Sequence, residues 1–164
     1  MSKQYPLIAN AFINNTRAPR NARMFASDNT LYSYGHHYTI ARKLDDTTKT
    51  ALFNLNDNSA TTNKQRHATK RALTSHNYKI LFVPAPSESL TYNLHKLSND
   101  VDKTYNTALL NPIKQNMLEL KTVFQAYNQL ACYISGGLDL HPDYEKIADL
   151  FDAYRRKPNA SKEV

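Results

Sequence analysis

The run Tyr78-Lys79-Ile80-Leu81-Phe82-Val83-Pro84-Ala85-Pro86 divides the chain into two kinds of sequence. Ile80, Leu81, Phe82 and Val83 leave no polar face at its centre, which is the pattern of an interior strand buried on both sides. Pro84 and Pro86 end that strand, because proline offers no N–H to a sheet ladder. Upstream of the run, apolar residues recur in short strand-like stretches around turn residues; downstream they recur at helical spacing. This switch predicts an α+β chain: a small antiparallel sheet in the order β-β-β-α-β with one helix packed on it, then a helical hairpin or bundle.

Immediately upstream, residues 63–75 contain neither Pro nor Gly. Ala68, Ala72 and Leu73 give them a narrow apolar stripe beside Gln65 and Thr69. Asn54, Asp57, Asn58 and Ser59 form the turn before this helix, and Thr61 or Thr62 is the expected N-cap. Lys64, Arg66, His67, Lys70 and Arg71 occupy the rest of its surface. Further back, residues 31–34, 37–42 and 50–55 read as three strands. Gly35 supplies a bend, and residues 44–49 form a hairpin connection. Residues 1–29 read as an N-terminal arm with one short helix, in which Leu7, Ile8, Phe12 and Ile13 are apolar. The irregular remainder of the arm carries Arg17, Arg20 and Arg23 around Pro19.

Downstream, Leu90, Leu94, Leu97, Val101, Tyr105 and Ala108 share one side of a helix. Asn111-Pro112 interrupts, and Ile113, Met117, Leu120, Phe124, Tyr127, Ala131 and Ile134 then alternate spacings of four and three. Such a seam wants a partner face, either within the chain or in a homodimer through residues 113–134. Gly136-Gly137 closes that helix. His141-Pro142 opens a last one, with Asp143 and Glu145 at its start and Arg155, Arg156 and Lys157 at its end. The expected divisions are an arm (1–29), a basic α+β unit (30–86), a helical unit (87–157) and a tail (158–164).

Composition narrows the function classes. At 164 residues, 41% hydrophobic and 10% aromatic, the chain is long and apolar enough to fold around a core. Three glycines, at 35, 136 and 137, are too few and too scattered for a phosphate-cradling loop, so no nucleotide cofactor is expected. The single Cys132 forms no internal disulfide, which fits a reducing compartment. No leader or membrane-length run is seen, so a cytoplasmic protein, in a host cell, is expected. Net charge is +7, and it is segregated. The first 83 residues hold 12 Lys and Arg against 4 Asp and Glu, a net +8, while the remainder holds 9 against 10. A segregated positive excess suits a polyanion.

No catalytic constellation accompanies that charge, and the chain reads as a non-enzyme. His36 and His37 are adjacent, so on a strand they point to opposite faces and do not share an ion. His67 and His76 are too far apart on one helix, and no metal framework is expected. None of the eleven tyrosines is singled out as a nucleophile. Arg17, Arg20, Arg23, Lys64, Arg66, His67, Lys70 and Arg71 remain as candidate nucleic-acid contacts, acting on phosphates.

Tyr32-Ser33-Tyr34-Gly35, Ile40-Ala41, Asn54, and Asn58-Ser59-Ala60-Thr61-Thr62-Asn63-Lys64 with His67 and Ala72-Leu73 together resemble a small uncharacterised domain of phage and plasmid proteins. In that domain a Tyr-Ser-Tyr-Gly strand precedes a Ser-x-Thr-Thr-x-Lys-x-x-His segment. The resemblance covers roughly residues 30–83 and implies a mobile-element origin without an established activity. Two functions follow as expectations: a phage or mobile-element accessory protein that binds DNA or RNA, or a regulator that binds a host protein or nucleoprotein complex. An anti-CRISPR inhibitor is an example of the second.

Overall fold

The computed structural model describes residues 3–35, 38–56 and 59–164, in two compact units, Met1–Ser89 and Leu90–Val164. His36, His37, Asp57 and Asn58 lie outside the described residues.

The first unit runs α1 (Gln4–Asn14), β1 (Met24–Ser27), β2 (Thr30–Ser33), β3 (Tyr38–Asp45), β4 (Thr50–Asn54), α2 (Ala60–Ser75) and β5 (Lys79–Val83). Its five strands form one sheet in the order β1-β2-β3-β4-β5. The first three pairings are antiparallel, and β4 and β5 are parallel from Thr50↔Lys79 to Asn54↔Val83. The sheet is therefore mixed rather than antiparallel, and β5 ends it rather than lying inside it. The cause is α2: it carries the chain back across the sheet to the start of β4, so the next strand repeats β4's direction.

Residues 1–29 are likewise no separate arm. Tyr5, Ile8, Phe12 and Ile13 of α1 pack with Met24 of β1, Leu31, Ile40, Ala41, Ala51, Phe53 and α2's Leu73 in one core. β1 and β2 meet through the two residues Asp28 and Asn29, with Asp28 in the left-handed region at φ 53°. Asp tolerates that conformation better than most residues. Ile40 is an extra residue on β3, since Leu31 pairs with Ala41 and Tyr32 with Thr39. That bulge lets the neighbouring Ile40 and Ala41 both enter the core.

One buried charge fastens the unit. Lys43 is 2% exposed, and its Nζ donates to Phe12 O at 2.7 Å and Asn15 Oδ1 at 2.6 Å, with Asp46 Oδ1 at 3.7 Å. It thus satisfies carbonyls left free at the end of α1, where the helix dipole also favours a cation. Asp46 accepts from Tyr78 Oη at 2.9 Å and from Asn15 Nδ2 at 3.3 Å. Burial pushes the Tyr78 phenol up, and the Asp46 hydrogen bond and charge add to it, to about 12. Burial works against ionising Asp46, yet the bonds from Tyr78 and Asn15 and the nearby Lys43 outweigh it and hold the carboxyl below its usual range.

A pH dependence follows. Because the folded pKa of Tyr78 is raised, its stabilising contribution is whole below the unfolded value of about 10 and is lost as pH climbs through about 12. Asp46 has the opposite sign: its contribution is present above the unfolded value of about 4 and is lost as pH falls through the lower folded one. Tyr78→Phe is expected to cost about 0.5–1 kcal/mol at neutral pH, less than a buried bond to a charge contributes, because the Asp46 side chain is 49% exposed. Urea melts at neutral pH and between pH 10 and 12 should show the variant losing less stability with alkali than wild type. Identical alkaline losses would mean that the contact does not form.

The second unit contains α3 (Leu90–Leu110), α4 (Lys114–Ser135) and α5 (Tyr144–Arg155). α3 and α4 pack together as a hairpin about the link at 111–113. Along α4, Met117, Leu120, Phe124, Tyr127 and Ala131 are buried, whereas the seam's end residues Ile113 and Ile134 are 47% and 44% exposed. The seam is filled within one chain over its centre, so its burial does not require a second copy. Gly136, at φ 74°, closes α4 with its N–H on Cys132 O at 3.0 Å, a left-handed position that glycine takes without strain. Residues 158–164 fold back rather than trailing free: Val164 is buried, Glu163 pairs with Lys114 at 2.8 Å, and Tyr154 Oη accepts the Ser161 N–H. Among the described residues no helix is long and apolar enough to cross a membrane.

Candidate nucleic-acid interface

α2 begins one turn earlier than its threonines suggest. Ser59, extended at φ −91° and ψ 168°, is the N-cap, and its Oγ accepts the Thr62 N–H at 3.2 Å. Thr61 and Thr62 lie inside the helix, so the expected cap at either of them moves back to the serine before them. Buried Thr62, Gln65, Thr69, Ala72 and Leu73 define the inner face. Lys64, His67 and Arg71, spaced by three and four, are exposed on the opposite one.

Arg66 and Lys70 flank these two faces, and the structure uses them differently. Arg66 Nη2 donates to Asn54 O at 2.9 Å, and its guanidinium lies 5.3 Å from the centre of the Phe53 ring. Arg66 therefore binds the start of α2 to the end of β4 and does not face outward as the sequence suggested; cation–π attraction and a backbone carbonyl hold it. Lys70 sits 5.3 Å from the Phe82 ring centre, yet it remains exposed.

The three arginines of 15–23 are set by a reversal. Asn15, left-handed at φ 56°, ends α1, and the chain then returns beside the helix, with Asn21 Nδ2 donating to Gln4 Oε1 at 2.9 Å. Arg23 O accepts from Gln65 Nε2 at 2.7 Å, which seats this arginine's backbone against α2. Arg17 and Arg20, both exposed, border a different feature, an open groove of about 650 Å³ that Phe12 and β1's Phe25 also line. Arg23 is thus brought to the α2 side, and Arg17 and Arg20 are not. Phe25 lies in a stretch, 24–27, that the sequence pattern places in the arm; the Asp28-Asn29 turn is the available signal of a hairpin there.

Charge follows the division into units. Met1–Ser89 holds 12 Lys and Arg against 5 Asp and Glu, and Leu90–Val164 holds nine against nine. Neither α1 nor α2 contains a carboxylate. The described acids of the first unit lie in the β1–β2 turn, around the β3–β4 turn and after β5. The helical layer therefore presents cations without compensating anions.

One titratable cluster occurs elsewhere. Asp102, His141 and Asp143 bring ligand atoms within 4.8 Å of one another. His141 Nδ1 accepts the Asp143 N–H at 3.0 Å, which places the ring proton on Nε2, 3.9 Å from Asp102 Oδ1. The nitrogen facing the carboxylate then has no lone pair to give a cation. His141 also packs edge-on to Tyr127, with ring centres 4.8 Å apart. It acts as a packed core histidine. Tyr78 and Tyr127 are both pushed up by burial, the wrong direction for a phenolate nucleophile. Comparisons of the chain with protein-family models, curated proteins and solved structures give no match.

Proposed function

We propose that the chain binds nucleic acid through its phosphates, with Lys64, His67, Lys70 and Arg71 of α2 and the loop arginines Arg17, Arg20 and Arg23 as contacts. The carboxylate-free helical layer of the first unit carries this reading. Lys and Arg side chains on a phosphate backbone release condensed counterions, and that release needs no base-specific geometry. Arg66 is left out of the contact set because it holds α2 to β4. The similarity to a phage and plasmid domain around Tyr32-Ser33-Tyr34-Gly35 extends the proposal to a mobile-element accessory protein working in a host cytoplasm. No metal, cofactor or catalytic residue enters it.

The triple variant Lys64→Ala, Lys70→Ala, Arg71→Ala tests this. Each lost phosphate contact lowers the slope of log affinity against log salt by about 0.7–0.9, so the triple variant should be shallower by about 2–3. Fluorescence anisotropy against unrelated sequences should show equal weakening on all of them. An unchanged slope would make α2 a solvated face only. The second reading, a regulator that binds a host protein, is favoured by Leu109, Leu110 and Ile113, exposed by 52%, 88% and 47% around the α3–α4 link. Under that reading, changing these three to serine abolishes partner capture and the α2 variant leaves it intact.

A further inference from the structure

We propose that the protein associates with itself head to tail, the leucine-bearing acidic turn between α4 and α5 of one copy docking in the groove beside β1 of the next. The turn is apolar for an exposed segment. Ile134, Leu138, Leu140 and Tyr144 are all exposed, Leu138 by 84%, and such a cluster marks a contact surface where a lone exposed leucine would not. Residues 136–145 also hold Asp139, Asp143 and Glu145 without a Lys or Arg. Asp143 lies 4.0 Å from Lys146 Nζ, whereas the Asp139 carboxylate, beside Leu138, meets no cation among the described residues.

The groove is the complement of that turn. It is open, about 650 Å³, and Phe12, Pro19, Ala22 and Ala26 line it with apolar atoms. Its charged lining residues are Arg17 and Arg20, both exposed, and neither meets a carboxylate among the described residues. The wall is held in place: Asn21 Nδ2 donates to Gln4 Oε1 at 2.9 Å, Arg23 N donates to Asn21 Oδ1 at 2.8 Å, and Ala18 packs on the core. Leu138 and Leu140 supply apolar surface to the groove, and Asp139 supplies a carboxylate to its arginines.

Charge selects this pairing over the others a second copy offers. A groove facing a groove would set arginines against arginines. The other exposed apolar cluster, Leu109, Leu110 and Ile113, lies in a stretch with no carboxylate from 103 to 118. Turn and groove are different surfaces, so the contact is heterologous and closes a ring or extends a filament. The cations of α2 take no part in it. Arg17 and Arg20 do, and where it forms they face a carboxylate in place of a phosphate.

The test is sedimentation equilibrium of nuclease-treated protein from low-micromolar to near-millimolar concentration. Wild type should associate as concentration rises, and added salt should weaken the association. Leu138→Ser and the double variant Arg17→Glu, Arg20→Glu should each lose at least about tenfold in self-affinity. Mixed in equal amounts, the two variants should form a one-to-one complex, because the first keeps its groove and the second keeps its turn. That rescue also shows that neither variant has merely lost its fold. Wild type that stays monomeric throughout, association left intact by either variant, or a mixture that stays monomeric would each overturn the inference. The salt slope on nucleic acid tests the phosphate reading separately, so the failure of one leaves the other standing.

Discussion

Phe53→Ala is expected to lower the stability of the first unit by about 3–5 kcal/mol, the usual range for truncating a buried phenylalanine. Phe53 is 1% exposed, on a strand whose five residues are all buried. β4 pairs antiparallel with β3 on one side and parallel with β5 on the other. The Phe53 ring meets Phe82 edge-on, with centres 5.8 Å apart, and lies under the Arg66 guanidinium. Truncation therefore leaves a cavity and also removes the surface that holds α2's flank. Phe82→Ala should cost less, about 2 kcal/mol, because β5 ends the sheet and Phe82 is only half-buried. Denaturant midpoints followed by circular dichroism rank the two. A larger loss for Phe82 would contradict the strand order.

Lys43→Met is expected to cost about 2–4 kcal/mol, although methionine is of similar length and more apolar. The substitution leaves Phe12 O and Asn15 Oδ1 without the donor that now reaches them at 2.7 and 2.6 Å. The buried Phe12 carbonyl deprived of this donor costs about 1–3 kcal/mol, and the favourable cation at the end of α1 is lost as well. Part of this is returned, since burying an ammonium is itself expensive. Hydrogen exchange should show α1 opening more readily in the variant. A variant as stable as wild type would mean that the desolvation of Lys43 cancels its bonds.

The sequence showed the parts of this architecture that depend on local pattern. The four-three alternation from Met117 to Ala131 marks a buried helix face, and the α+β switch falls at the prolines beside β5. What it did not show depends on contacts distant in sequence. Nothing near Lys43 announces that its ammonium reaches the end of α1, some thirty residues earlier. The direction of β5 is set by where α2 delivers the chain, and the all-apolar run at 80–83 is equally compatible with an interior or an edge position. Of the candidate site, the basic face of α2 was visible as Lys64, His67 and Arg71, spaced by three and four. The diversion of Arg66 was not, because it needs Phe53 and Asn54 beside it.

The salt dependence of nucleic-acid affinity for the unaltered protein tests the central claim most directly. Arg17, Arg20, Arg23, Lys64, Lys70 and Arg71 are six exposed permanent cations. Engaging most of them gives a log–log slope of about −4 to −5 between low and moderate salt. A slope in that range, largely independent of base sequence, is the predicted result. No binding at micromolar protein in low salt, or binding with a slope near zero, would contradict it.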